Sequence, residues 1–270
     1  MEGVRELAQA GVPDPLREAR RLWALALGEP LWTATASAPV GLGRRFRSLL
    51  AARVRRVPLA YLEGEVAFLD FELRVGPGVF IPRPETEELA ERAGAVFRRL
   101  AVPCFLDLGT GTGALALALA RARPEAWGVA VDTSRRALRC AQANARRLGV
   151  ADQISFRRSH WYEVVPERFA LVVANPPYVA AWAAPLLPPE VRRYEPRRAW
   201  CAGPTGLEAI REVIVGAPDH LLPGGFVFVE IGEDQGPATL EIARGTQRYT
   251  AARVEKDLAG KDRFFIGQCG

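Results

Sequence analysis

The chain has 270 residues, with 36 Lys and Arg against 31 Asp and Glu for a formal net charge of +5, which suits one full core and a small second domain rather than a strongly basic nucleic-acid coat. No apolar run is long enough to span a bilayer and the amino terminus lacks a signal-peptide pattern, so a cytoplasmic location is expected. Cys104, Cys140, Cys201 and Cys269 are scattered with no Cys-x-x-Cys pair, so neither a metal site nor a disulfide framework is expected.

Residues 1–60 hold ten arginines against five acids. The segment reads as helical. Asp14-Pro15 opens a helix through about Leu27, and Phe46, Leu49, Leu50, Val54 and Val57 mark the buried face of another. The arginines then fall largely on outer faces, as plain solvated surface or as a surface docking an acidic protein or RNA. Glu65 to Val75 alternates apolar and polar residues and reads as a hairpin within a linker over 61–84. The Pro- and Gly-rich stretch after it, Gly76 to Pro84, brings Phe80 and Arg83 across the mouth of the following core. A helix then starts near Glu85. Arg83 and Glu85 either orient a loop of the core or cap this helix, and Phe80 is either a pocket wall or ordinary packing.

From residue 85 onward strands and helices alternate. Strands are expected near 103–108, 127–132, 153–158 and 169–174, then Gly225–Ile231, Thr250–Lys256 and Arg263–Gln268, seven in all, which predicts a doubly wound sheet. The first runs into Gly109-Thr110-Gly111-Thr112-Gly113 after Asp107. Glycines there let a ligand approach the backbone, and the helix that follows offers unpaired N–H groups. Ala114 stands where the dinucleotide fingerprint needs its third glycine, which argues against a pyrophosphate. Asp132 ends the second strand, where a carboxylate accepts ribose hydroxyls. His220, at a helix end, reads as a cap-side residue.

Behind the apolar run Phe169 to Ala174 stands Asn175-Pro176-Pro177-Tyr178. Proline fixes its own φ and holds the preceding residue extended, so the tetrapeptide forms a rigid arm. Its amide, its carbonyls and its aromatic face suit a flat NH2 group: oxygens accept the two hydrogens while the ring covers one side. A proline turn after a buried strand is the bland alternative.

The order of this glycine run, Asp132, Trp161 and Asn-Pro-Pro-Tyr resembles the HemK/PrmC family of protein-glutamine methyltransferases. Tyr61-Leu62-Glu63-Gly64, the block Phe80 to Glu87, Arg193-Tyr194-Glu195-Pro196, Gly206-Leu207 and Asp257 to Arg263 are similar to that family as well. The resemblance implies an α/β Rossmann-like, seven-stranded methyltransferase domain over 85–270, its last two strands a reversed hairpin, behind the hairpin linker and a helical substrate-docking domain over 1–60. It implies S-adenosyl-L-methionine as methyl donor, S-adenosylhomocysteine as product, and class I peptide release factors, methylated on the Gly-Gly-Gln glutamine, as protein substrate of a monomeric enzyme. Gly109, Thr110, Gly111, Thr112, Gly113, Asp132, Trp161 and Asn175 would bind the cofactor. Asn175, Pro176 and Tyr178 would be catalytic, and Pro177 and Phe80 would join them around the substrate. Where the family often carries an acid before the tryptophan, this chain has His160: either its neutral ring accepts from adenine, or Trp161 stacking and backbone groups hold adenine alone. An exocyclic-amino methyltransferase acting on DNA or RNA adenine is the alternative, because it uses a similar tetrapeptide. The balanced charge of residues 61–270 speaks against it, and an intact tetrapeptide speaks against a noncatalytic binding module.

Overall fold

The computed structural model describes residues 2–28 and 42–270. The chain opens with α1 (Glu2–Gln9), α2 (Pro15–Leu27), α3 (Leu42–Val54) and α4 (Leu59–Glu63). α2 starts where expected because the Asp14 carboxylate accepts the Arg17 amide at 3.1 Å, and it ends at Gly28, whose φ of 75° turns its amide back to the Ala24 carbonyl. Leu7, Val12, Leu22 and Leu50 form a small core of their own, with Phe46, Leu49 and Val54 packed on it.

The arginines of these helices lie largely on outer faces, with one exception. Arg53 is 3% exposed rather than on an outer face. Its guanidinium donates to Glu18 and, at 2.9 Å, to Glu190 far along the chain. Arg56 joins it, donating to both Glu190 oxygens at 2.6 and 2.7 Å. Burial alone would lower the pKa of Arg53, but the hydrogen bonds and charges of Glu18 and Glu190 outweigh it and hold the group above its ordinary value. Arg44, Arg45, Arg47 and Arg55 stay exposed.

The hairpin follows as β1 (Glu65–Phe68) and β2 (Phe71–Arg74), antiparallel with Phe68 opposite Phe71, and then α5 (Pro84–Phe97). The core continues as β3 (Cys104–Leu108), α6 (Ala114–Ala122), β4 (Trp127–Asp132), α7 (Arg135–Arg147), β5 (Ile154–Arg158) and β6 (Phe169–Ala174). A segment that the sequence rhythm leaves unassigned comes next: β7 (Val179–Ala180), a 3-10 turn over Ala181–Leu186, α8 (Pro189–Tyr194) and β8 (Cys201–Gly203), which pairs with β7. α9 (Glu208–Gly216), β9 (Leu221–Glu230), α10 (Gly236–Thr246), β10 (Tyr249–Lys256) and β11 (Asp262–Cys269) complete the order.

The seven-stranded sheet runs β10-β11-β9-β6-β3-β4-β5. Six strands run the same way and β11 alone is reversed, lying antiparallel between β9 and β10, the reversed hairpin expected from the resemblance. β3 and β6 are buried at every residue, as central strands covered on both faces must be. Phe105, Ala130, Leu171, Val173 and Phe228 face one layer with α5 and α6. Leu106, Val129, Val172 and Val227 face the other with α9 and α10. Strand order reverses at β3, which has β4 on one side and β6 on the other, so a crevice opens beyond the carboxyl ends of these three strands.

Candidate active site

The glycine-rich turn closes over the end of β3. Gly109, Gly111 and Gly113 have φ of 73°, 58° and 90°, the left-handed region that glycine enters without steric cost. Asp107 anchors the turn from below, accepting from the Thr110 hydroxyl at 2.6 Å and the Ala116 amide at 3.2 Å. Burial pushes its carboxyl up to about 7 against those two bonds. Asn144 holds the far side, donating to the Thr112 carbonyl at 2.9 Å while its oxygen takes the Arg74 amide at 2.8 Å, so the hairpin and the turn share one buried amide. At the end of β4, Asp132 accepts the Gly111 amide at 3.0 Å and the Ser134 amide at 2.7 Å. Burial raises its pKa, and those bonds and the Arg198 charge oppose the rise.

A cavity of about 320 Å³ lies beyond these strand ends, within the range of ordinary small-ligand sites. Gly109, Thr110, Gly111, Thr112, Asp132, Trp161, Asn175, Pro177 and Phe80, nine of the site residues expected from the sequence, line it together. Gly113, Pro176 and Tyr178 are absent from the lining. A Cβ at Gly113 would stand 3.0 Å from Leu117 and 3.2 Å from the Ala141 Cβ, so its absent side chain serves the packing of α6 on α7. Trp161 is held at a φ of 42° with its ring against Gly109, and its indole N–H is buried without a partner among the described residues. His160 lines the same end, its Nδ1 lying 3.6 Å from Glu212 of α9. Glu212, which sequence reading missed, adds a carboxylate to the same lining. His220 lies away from the cavity, stacked on Tyr162 at 4.4 Å.

The tetrapeptide is braced from α5 and β9. Asn175 Nδ2 donates to Thr86 Oγ1 at 2.9 Å, and Thr86 Oγ1 donates to Glu230 Oε2 at 2.8 Å. Tyr178 donates its hydroxyl to the other oxygen, Glu230 Oε1, at 3.2 Å. Asn175 Oδ1 and the Pro176 carbonyl accept no hydrogen bond among the described residues. Glu230 is fully enclosed, and burial pushes it up to about 7 despite the Thr86 and Tyr178 hydroxyls and the Arg263 charge. Gln235 bridges the loop from beneath, donating to the Tyr178 carbonyl at 3.0 Å and the Gly206 carbonyl at 3.1 Å. Thr86 lies inside the sequence block noted above, but its partner is 144 residues away and only the fold brings them together.

Phe80 forms a wall opposite. Arg83 stacks its guanidinium on the Phe80 ring at 4.6 Å and pairs with buried Glu195, which also accepts the Ile81 amide at 3.1 Å. Arg83 makes no side-chain capping bond to α5, and its partners, Phe80 and Glu195, lie outside the tetrapeptide. Tyr61 donates to the Val79 carbonyl at 2.6 Å, and Tyr194 donates to the Arg55 carbonyl at 2.7 Å. The segment from Glu190 to Glu195 therefore ties the amino-terminal helices to the Phe80 wall.

Comparison with known proteins places this geometry. The family described as methyltransferase small domain matches residues 96–185. A release factor glutamine methyltransferase of Cereibacter sphaeroides is 43% identical over 96% of this chain and 93% of its own length. The chain belongs to the release factor glutamine methyltransferases. The relative from Moorella thermoacetica is 42% identical over 98% of this chain and 95% of its own length. A methyltransferase of Pyrococcus furiosus, 17% identical, shares the fold with a TM-score of 0.52 over 84% of this chain and 98% of that one. Like its relatives, this release factor glutamine methyltransferase is an S-adenosylmethionine-dependent enzyme with a Rossmann-like core, and the nucleic-acid alternative is not favoured. Among the described residues no helix is long and apolar enough to cross a membrane.

Proposed function

We propose that the chain methylates the side-chain amide nitrogen of the glutamine in the Gly-Gly-Gln loop of class I peptide release factors, with Asn175 and Pro176 as the groups that seize that amide. The observation carrying this reading is the free Asn175 Oδ1 at the cavity into which the glycine turn and Asp132 also open.

The residues present fit S-adenosylmethionine: left-handed glycines that admit close approach, a carboxylate at Asp132 and an unpaired indole N–H at Trp161. Gly109 to Gly111 would receive the amino-acid end, Asp132 the ribose hydroxyls, and Trp161 with His160 and Glu212 the adenine. When bound, S-adenosylmethionine supplies a sulfonium methyl and leaves as S-adenosylhomocysteine.

A glutamine amide is a poor nucleophile because its nitrogen lone pair is delocalised into the carbonyl. Asn175 Oδ1 and the Pro176 carbonyl accept its two N–H bonds, orient the nitrogen toward the methyl and favour its less planar, more nucleophilic form. The order of the tetrapeptide assigns the Tyr178 ring to the face of the amide while its hydroxyl stays anchored at Glu230. As the N–C bond forms the nitrogen becomes strongly acidic and its proton passes to water, so no dedicated base is needed.

A protein acceptor also suits the surface downstream of the tetrapeptide. Trp182 and Leu186, on the turn after the tetrapeptide, are 73% and 78% exposed, an apolar knuckle that a small substrate would not need. The exposed arginines of the helical domain over 1–60 add a cationic face for the same partner. The test is incubation with labelled S-adenosylmethionine and a release factor, its Gln→Ala loop variant, or oligonucleotides, with label mapped by mass spectrometry. One methyl on the loop glutamine, absent from the variant, is expected; label on nucleic acid alone would overturn the reading.

A further inference from the structure

We infer that Thr86 and Glu230 are positioning residues that set which way the Asn175 amide faces. An ionised carboxylate only accepts hydrogen bonds, so the Thr86 hydroxyl, 2.8 Å from Glu230 Oε2, commits its single proton there. A hydroxyl whose proton is spent can only accept from its other neighbour. The Asn175 side chain, 2.9 Å away, therefore turns its NH2 toward Thr86, which leaves Oδ1 at the cavity. A flipped amide would set an oxygen against an oxygen with no proton between them. The second Glu230 oxygen takes the Tyr178 hydroxyl at 3.2 Å, so one buried side chain sets the polarity at the first residue of the tetrapeptide and anchors the last. Neither Thr86 nor Glu230 has to touch the reacting atoms for this.

The inference rests on the reading of Asn175 as acceptor of an amide hydrogen, which is tested separately by Asn175→Ala losing turnover on the release factor while S-adenosylhomocysteine still binds. Given turnover, three variants follow. Thr86→Val keeps the side-chain shape and removes the hydroxyl; Thr86→Ser restores it. Glu230→Gln presents a group that donates as well as accepts, so Thr86 can turn its proton back to Asn175. We expect kcat to fall about tenfold or more in Thr86→Val and Glu230→Gln, the size of effect seen when one aimed hydrogen-bond partner is lost. The KM for the release factor and the calorimetric Kd for S-adenosylhomocysteine should each stay within about twofold, and Thr86→Ser should recover most of the rate.

A double-mutant cycle tests the route. Asn175→Asp offers two oxygens and has no orientation to be set, so adding Thr86→Val to it should cost about twofold at most. Wild-type kcat in Thr86→Val would overturn the proposal. An equal loss in the Asn175→Asp background would overturn it as well, because Thr86 would then act by some route other than the amide. If Thr86→Val does not fold, Glu230→Gln carries the same comparison, and a kcat equal to wild type there sinks the idea.

Discussion

Gly206 lies directly beneath Tyr178: a Cβ on Gly206 would stand 2.6 Å from the Tyr178 carbonyl oxygen and 3.1 Å from the Ala180 amide nitrogen. Both are backbone atoms, so no side chain can swing away to relieve the contact. The φ of 84° disfavours any side chain there independently. Gly206→Ala should therefore push the tetrapeptide toward the cavity and lower kcat about tenfold or more, since misplacement by an ångström can cost still greater factors. S-adenosylhomocysteine affinity, measured by calorimetry, should hold, because the glycine turn and Asp132 lie on other strands. Wild-type kcat would mean the loop tolerates the shift.

Asn175→Ala and Asp132→Ala should separate chemistry from cofactor binding. Loss of the Asn175 oxygen should abolish turnover while S-adenosylmethionine still binds. Loss of Asp132 should weaken binding about tenfold or more, through the ribose contacts and through the Gly111 amide it now holds at 3.0 Å. Calorimetry on both variants decides. Lost binding in Asn175→Ala would make that residue part of the cofactor site alone.

Arg53→Ala removes a buried cation and leaves Glu18 without its partner, while Glu190 keeps both hydrogen bonds from Arg56. Breaking such pairs costs about 3–5 kcal/mol. The thermal unfolding midpoint should drop, with the amino-terminal helices released to proteolysis before the core. Arg45→Ala, at an exposed position, should leave the midpoint unchanged.

Trp182→Ala should raise the KM for an intact release factor several-fold and leave the KM for a short Gly-Gly-Gln peptide within about twofold, because a side chain that is 73% exposed acts only on a partner large enough to reach it. Equal effects on both acceptors would place Trp182 in the peptide site instead.

Burial raises Glu230 to about 7, with the Thr86 and Tyr178 hydroxyls and Arg263 pulling it down and Glu85 adding to the rise. Protonation gives the carboxyl a proton of its own to donate and breaks the one-way relay. For free enzyme, kcat/KM should fall as the pH drops through about 7, and Glu230→Gln should lose that limb. The stability sign is opposite. A carboxyl whose folded pKa is raised stabilises the fold below its ordinary value and loses that contribution as the pH rises through about 7. Wild type should thus gain activity and lose melting temperature over the same interval. Asp107, also raised to about 7, adds to the melting trend, and the difference between wild type and Glu230→Gln isolates Glu230.

The strand and helix rhythm, the Asp14 cap, the glycine turn and the tetrapeptide were legible because each is written in neighbouring residues: an apolar period, a capping side chain, a proline. What stayed hidden depends on distant partners. Arg53 reads as one more surface arginine until Glu190, 137 residues away, meets it. Thr86 and Glu230 sit at the ends of unrelated elements, and no local pattern says that their hydroxyl and carboxylate share a hydrogen bond. Gly113 misleads in the other direction. It belongs to the ligand turn by spacing, yet its missing side chain makes room for Ala141 rather than for a ligand. β7, β8 and α8 are too short to carry a period of their own, so only the pairing of Val179 with Cys201 reveals them.

The placing of β11 between β9 and β10 bears on how the enzyme emerges during synthesis. Within this sheet the outer edge of β9 is paired only by Phe264 to Gln268, and the Arg263 carbonyl takes the Ile231 amide next to Glu230. The strand carrying the buried carboxylate therefore keeps a bare edge until Phe264 to Gln268, made later than β9, arrive. A nascent chain still lacking them has the glycine turn and Asp132, but the edge of β9 beside Glu230 stands unpaired.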